Sequence, residues 1–233
     1  MWAVVPLKSP DEAKSRLKAV LDAAQRRELF FALARRVIGA LRATPGIDVV
    51  AVVTASAEVA TFARAQQVEV IRHAVDFGTA SAFASAVHHL QPLRLERLLM
   101  IAGDLPLVSS EALQELLKLA DAQPRVQPSV VVVPDRHRLG TNALLCTPPH
   151  VIAPCFGSNS YQQHLRAAEQ AGVATRILQN ESFAHHLALD LDVPEDLDYL
   201  RATGGIAGAQ LLQTLRQSEA VTSFTREVAG AAR

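Results

Sequence analysis

An α/β architecture, a mostly parallel mixed sheet flanked by helices, follows from three features of the 233-residue chain. Apolar runs of strand length alternate with amphipathic helical patterns from one end to the other. The runs are rich in Val and Ile and mostly unalternating, as expected of strands covered on both faces. No internal repeat, low-complexity tract or linker divides the sequence, so one domain over residues 1–203 is expected, with a helix and tail over 204–233.

"WAVVPL" (2–7) reads as the first strand, followed by a charged loop. "RELFFALARRVIGAL" then sets Leu29, Phe30, Leu33, Val37, Ile38 and Leu41 at spacings of three and four, one face of a helix. "DVVAVVT" (48–54), "VEVIR" (68–72) and "RLLMIAG" (97–103) supply three more strands. In "SSEALQELLKLA", Ser109 or Ser110 suits an N-cap, Glu111 falls in the positive first turn, and Leu113, Leu116 and Leu117 form the apolar stripe. "SVVVVP" (129–134) is a strand, and "NALLC" (142–146) and "HHLALDLD" (185–192) read as later strands whose direction the pattern leaves open. "SNSYQQHLRAAEQAG" reads as a helix from Ser158 closing on Gly172 as a left-handed cap. After Gly204-Gly205, the residues Ile206, Leu211, Leu212 and Leu215 mark one amphipathic helix. That helix and its tail are free to pack on the domain, to pair two subunits as a homodimer, or to fray.

Composition excludes several function classes. Lys and Arg total 23, as do Asp and Glu, so no global field recruits nucleic acid or an anionic membrane. The two cysteines, Cys146 and Cys155, form neither a CxxC pair nor a disulfide framework, which points to a reducing cytoplasm. "MWAVVPLKSP" is too short in its apolar run for a signal peptide, and no later run reaches membrane-spanning length. A cytoplasmic protein without a membrane partner is expected.

The chemistry gathers at strand ends, where ligands of open α/β sheets sit. In "LLMIAGDLPLV" a buried-strand pattern ends on Gly103-Asp104, a carboxylate that needs a positive partner if it is covered. In "LALDLDVPEDL" an extended backbone would turn Asp190 and Asp192 to one face, while Pro194 opens the next helix. Three carboxylates at one rim repel unless a cation joins them, and Mg²⁺ favours such oxygen ligands together with substrate phosphates. Taken singly, Asp104 equally suits a helix N-cap or turn, and the pair equally suits a charged helix start.

Two further patches complement the acids. "PLKSPDEAKSRLK" offers Lys8, Lys14, Arg16 and Lys18 directly after the first strand, suited to a polyphosphate or to plain solvation. Neither GxxxxGK[ST] nor GxGxxG occurs. Gly140-Thr141-Asn142 and Gly157-Ser158-Asn159-Ser160 combine free backbone with hydroxyls and amides, fitting a small phosphorylated acid at a helix start or ordinary capping. The pairs His88-His89 and His185-His186 lack zinc spacing, and no GxSxG elbow supports a hydrolase triad.

Five ordered motifs, "VVPLKSPDEAKSRL", "IAGDLPLV", "GTNALL", "FGSNSYQQHL" and "LDLDVPEDL", make residues 2–200 resemble the 2-phospho-L-lactate guanylyltransferase family of deazaflavin coenzyme F₄₂₀ biosynthesis. That family includes phosphoenolpyruvate and 3-phosphoglycerate guanylyltransferases. The resemblance implies a glycosyltransferase-A-like nucleotidyltransferase fold and transfer of GMP from GTP to a phosphorylated three-carbon acid, with release of pyrophosphate. It implies Mg²⁺ on Asp104, Asp190 and Asp192, with Asp104 meeting the metal rather than a lysine. It further implies GTP on Leu7, Lys8, Lys14, Arg16, Gly78, Thr79 and Ser81, and the acid on Thr141, Asn142, Gly157 and Ser160. Where relatives commonly show a segment like GLNAA near the nucleotide, this chain has "DFGTASAFASAV", with the hydroxyls of Thr79 and Ser81 in place of an amide. A molybdenum-cofactor or sugar-phosphate nucleotidyltransferase, or a nucleotide-binding regulator without turnover, would share the acidic rim.

Overall fold

Seven strands build the sheet in the order β3-β2-β1-β4-β6-β5-β7: β1 Trp2–Pro6, β2 Val49–Thr54, β3 Glu69–Arg72, β4 Leu98–Ile101, β5 Ser129–Pro134, β6 Thr141–Thr147 and β7 Ala174–Ile177. The computed structural model describes residues 1–73, 78–122, 124, 127–178 and 181–213, without the side chains of residues 181 and 182. All neighbouring strands run parallel except β6, which is antiparallel to both β4 and β5. Chain order reverses between β1 and β4, and such a switch point opens a crevice beyond the carboxyl ends of the strands.

Helices cover both faces because alternate strand residues point to opposite sides. Ala3 and Val5 of β1 join one apolar cluster with α1 (Ala23–Arg42), α2 (Ala57–Ala65), α4 (Ser110–Asp121) and α6 (Glu181–Ala188). Val4 points the other way, to α3 (Thr79–Leu90) and α5 (Ser160–Gln170). A third cluster at one end unites Leu17, Leu29, Leu33, Leu189, Leu191 and Leu197, the last from α7 (Pro194–Thr203). Leu211, in the helical stretch 205–213, is buried in that same cluster. Ile206 is 81% exposed, so it does not share the buried stripe expected for it. Leu215 lies outside the described residues.

Two expected elements differ. Residues 185–188 are the last turn of α6 rather than strand, because the fourfold spacing of Phe183 and Leu187 matches a helix. Residues 189–192 keep the two-residue alternation, with Leu189 and Leu191 buried, yet join no ladder. Both edges of β6 are already taken by β4 and β5, so no strand position is open there. Helix α5 begins at Ser160 rather than Ser158, because Gly157 and Asn159 adopt positive φ of 131° and 56°. Gly172 does end α5 in the left-handed region, at φ 64°.

Candidate active site

Lys14, in the loop after β1, reaches across the switch point to the loop after β4. It enters the short 3₁₀ turn Ser15–Ala19 after β1 with φ 54°, a left-handed conformation that a side-chain-bearing residue adopts at some cost. Its ammonium lies 2.5 Å from Asp104 Oδ2 and 3.1 Å from Asp192 Oδ1. The lysine side chain is only 6% exposed. Burial alone would lower its pKa, but the charges and hydrogen bonds of Asp104 and Asp192 outweigh that and hold it above the ordinary lysine value. Arg16 reaches within 3.8 Å of Asp192 from the solvent side.

Asp190 completes the cluster. Burial, reinforced by the negative charges of Asp104 and Asp192, pushes its pKa up to about 7, against the opposing pull of Lys14. The three carboxylates named from sequence therefore converge from the β4 end and from the 189–192 segment. Asp104 also meets Lys14, a lysine contact that was not expected for it. Among the described residues, no three His, Cys, Asp or Glu side chains are gathered tightly enough to hold a metal on their own. The donor set still fits a hard cation, since Asp104 and Asp192 share one buried ammonium while Asp190, close enough to feel all three charges, forms no salt bridge among the described residues.

Sequence reasoning missed what positions this acidic loop. Asp196, at the third position of α7, is 5% exposed. Its Oδ2 accepts the backbone N–H groups of Asp192 at 2.7 Å and Val193 at 2.8 Å. Its Oδ1 accepts from Arg136 Nη2 at 2.5 Å, and the Arg136 guanidinium lies over the Tyr199 ring at 4.9 Å. An acid three residues into a helix, reaching back to its start, was the available signal in "VPED". Asn142 does related work from β6. Its amide nitrogen donates to the carbonyls of Leu187 and Ala188, both at 3.0 Å, so it ties the end of α6 to the sheet. Those donors are thus committed within the protein, which leaves only its side-chain oxygen for a ligand.

The remaining residues fall into two groups flanking the acids. Leu7, Lys8, Gly78 and Thr79 line one cleft at the carboxyl ends of β1 and β2, together with Thr54 and His73. Ser81 Oγ sits 3.3 Å from His73 Nε2. Leu7 is buried and donates its N–H to Val53, whereas Lys8 is exposed. On the other side, Thr141 opens β6, and because β6 is reversed this start lies at the edge where β4 and β5 end. Ser160 is 1% exposed and donates its N–H to the Gly157 carbonyl, and the next residue, Tyr161, donates to Leu139. Thr141 reaches the same corner through His164 of α5, 2.9 Å away.

Residues 1–225 match the family described as Guanylyl transferase CofC like. A phosphoenolpyruvate guanylyltransferase of Conexibacter woesei is 37% identical over 201 residues, covering 86% of each chain. Another, of Rubrobacter xylanophilus, is 37% identical over 206 residues, covering 88% of this chain and 96% of that one. The fold superposes on a nucleotide-diphospho-sugar transferase of Desulfovibrio desulfuricans with a TM-score of 0.71 at 16% identity, over 93% of this chain and 96% of the other. No helix among the described residues is long and apolar enough to cross a membrane. The chain belongs to the CofC-like guanylyl transferase family, and it is an enzyme of the nucleotidyltransferase type.

Proposed function

We propose that the protein transfers GMP from GTP to phosphoenolpyruvate, with Mg²⁺ as cofactor, in the cytoplasm and as a step of deazaflavin coenzyme F₄₂₀ biosynthesis. The carrying observation is the convergence of Asp104, Asp190 and Asp192 on Lys14 at the switch-point crevice. The acid is chosen by the activity of the relatives from Conexibacter and Rubrobacter.

A phosphate oxygen of the acid attacks the α-phosphorus of GTP. The new bond is oxygen to α-phosphorus, and the bond from α-phosphorus to the bridging oxygen breaks, releasing pyrophosphate. The nucleophile is already anionic, so no general base is required. The obstacle is repulsion, since two unit charges about 4 Å apart oppose each other by roughly 4 kcal/mol at an effective dielectric near 20. Lys8, Lys14 and Arg16 offset that charge along the triphosphate. Asp104, Asp190 and Asp192 would hold Mg²⁺, which when bound neutralises phosphate oxygens and aligns them. Leu7, Gly78, Thr79 and Ser81 take the guanosine end, and Thr141, Gly157 and Ser160 take the acid, with Asn142 holding the wall behind them.

The test incubates protein, GTP and Mg²⁺ with phosphoenolpyruvate, 2-phospho-L-lactate or 3-phospho-D-glycerate, and reads pyrophosphate release and product mass. A GMP adduct of phosphoenolpyruvate formed fastest supports the reading. GTP binding without pyrophosphate release for any acid would refute it in favour of a regulator.

A further inference from the structure

His164 is wholly buried on α5, and both ring nitrogens are engaged. Nε2 lies 2.8 Å from the backbone nitrogen of Cys155. A backbone N–H can only donate, so Nε2 carries the lone pair. The ring proton therefore sits on Nδ1, which is 2.9 Å from Thr141 Oγ1, and the imidazole donates to the hydroxyl. A doubly protonated ring would set two donors against each other at Cys155. The surroundings agree, for the Phe156 ring packs edge-on at 4.9 Å and Phe83 packs on Phe156 at 4.3 Å. Burial accordingly pushes the His164 pKa down to about 4.

The consequence falls on Thr141. One lone pair of its oxygen is filled by His164, and its own hydrogen has no acceptor among the described residues. A hydroxyl only 7% exposed, with its hydrogen unspent, is matched by an acceptor from water or from a bound ligand that displaces it. At this edge of the sheet, beside Ser160 and the loop carrying Gly157, the fitting acceptor is an oxyanion. We propose that His164 is a positioning residue that fixes the Thr141 hydroxyl as a donor to the phosphorylated acid while anchoring the Cys155 loop beside it. This rests on the assignment of Thr141 to the acid.

The two contacts can be separated chemically. In His164→Gln the amide oxygen reaches the former Nε2 position and keeps the Cys155 contact, while the donor to Thr141 is lost. In His164→Asn the amide nitrogen reaches the former Nδ1 position and keeps the Thr141 contact. The expected result is an acid KM raised about tenfold in His164→Gln, the range for losing a hydrogen bond to a charged group. The GTP KM should stay within about twofold, the His164→Asn variant should retain the acid KM better, and Thr141→Val should show the same rise as His164→Gln. In the double variant the His164→Gln change should add nothing to Thr141→Val.

An unchanged acid KM in His164→Gln while Thr141→Val raises it, or full additivity in the double variant, overturns the proposal alone. An unchanged acid KM in Thr141→Val overturns both it and the acid-site assignment. Should His164→Gln fail to fold, nitrogen NMR of labelled histidine in the native protein decides: a proton on Nε2, or a ring protonated at neutral pH, overturns the proposal.

Discussion

Lys14 Nζ lies 2.5 Å from Asp104 Oδ2, although ninety positions separate them in the chain. This pair joins the loop after β1 to the loop after β4, the two lips of the switch-point crevice. Breaking a buried pair by removing one partner typically costs about 3–5 kcal/mol, because the other charge is left stranded. Lys14→Met should therefore melt earlier than the parent protein and lose nearly all transferase activity. Millimolar Mg²⁺ should raise its Tm more than it raises the parent's, a comparison that thermal melts with and without the ion settle.

Asp190 carries the opposite expectation. Its charged form is disfavoured by burial and by two neighbouring carboxylates, so Asp190→Asn should match or exceed the metal-free parent's stability at pH 8. Pyrophosphate release should nonetheless fall by at least a hundredfold, as for Asp104→Asn. Urea melts beside activity assays test the pairing, and an active Asp190→Asn would remove this residue from the chemistry.

Asp196 should behave as a support rather than a reactant. Asp196→Ala leaves the N–H groups of Asp192 and Val193 without their acceptor and Arg136 without its partner. An unsatisfied buried group costs about 1–3 kcal/mol. Both lower stability and a lower kcat are expected, with Asp196→Asn milder in each. An Asp196→Ala protein with parental kcat would show that the acidic loop keeps its shape unaided.

Gly103 answers why a greasy strand ends on glycine before Asp104. A Cβ there would come 2.4 Å from Leu7 Cδ2 and 3.2 Å from Val5 Cγ1. Leu7 must then shift, and overpacking of this kind costs about 1–3 kcal/mol. Gly103→Ala should raise the KM for GTP more than that for the acid, since Leu7 lines the cleft proposed for the nucleotide.

His164 gives the fold a pH dependence. Its pKa falls from the ordinary 6.5 to about 4 on folding, so between those values the unfolded chain binds a proton that the folded one refuses. Its contribution is complete above pH 6.5, shrinks as pH falls toward 4, and amounts to roughly 3 kcal/mol across that window at about 1.36 kcal/mol per unit. Denaturant melts from pH 7 to 4.5 should show this loss, and the slope should flatten in His164→Gln.

The strongly apolar strands were legible because burial on both faces leaves a continuous Val and Ile signature, as in β2 and β5. Helix α4 was legible down to a choice of cap between Ser109 and Ser110, of which Ser109 accepts from Ala112 N–H. Edge strand β7 was not, since none of its four residues is fully buried and the run "ATRI" carries no burial signal. The acids could be named from motif order, but their closure onto Lys14 depends on a left-handed turn at a lysine, which local pattern does not foretell. His164 sat inside a quoted motif without a role, because its meaning lies in two partners, Thr141 and Cys155, brought together only by tertiary folding.

The reversal of β6 has an evolutionary corollary. Running against its neighbours, it carries the chain from Thr141 at the edge where β4 and β5 end to Thr147 at the far one, so residues 148–159 must travel back before α5 can begin. That return path hangs outside the sheet's ladder, fastened near its end by His164 to Cys155. Insertions or deletions along it would reshape the pocket proposed for the acid without moving a single carboxylate, so acceptor preference is expected to be adjustable there.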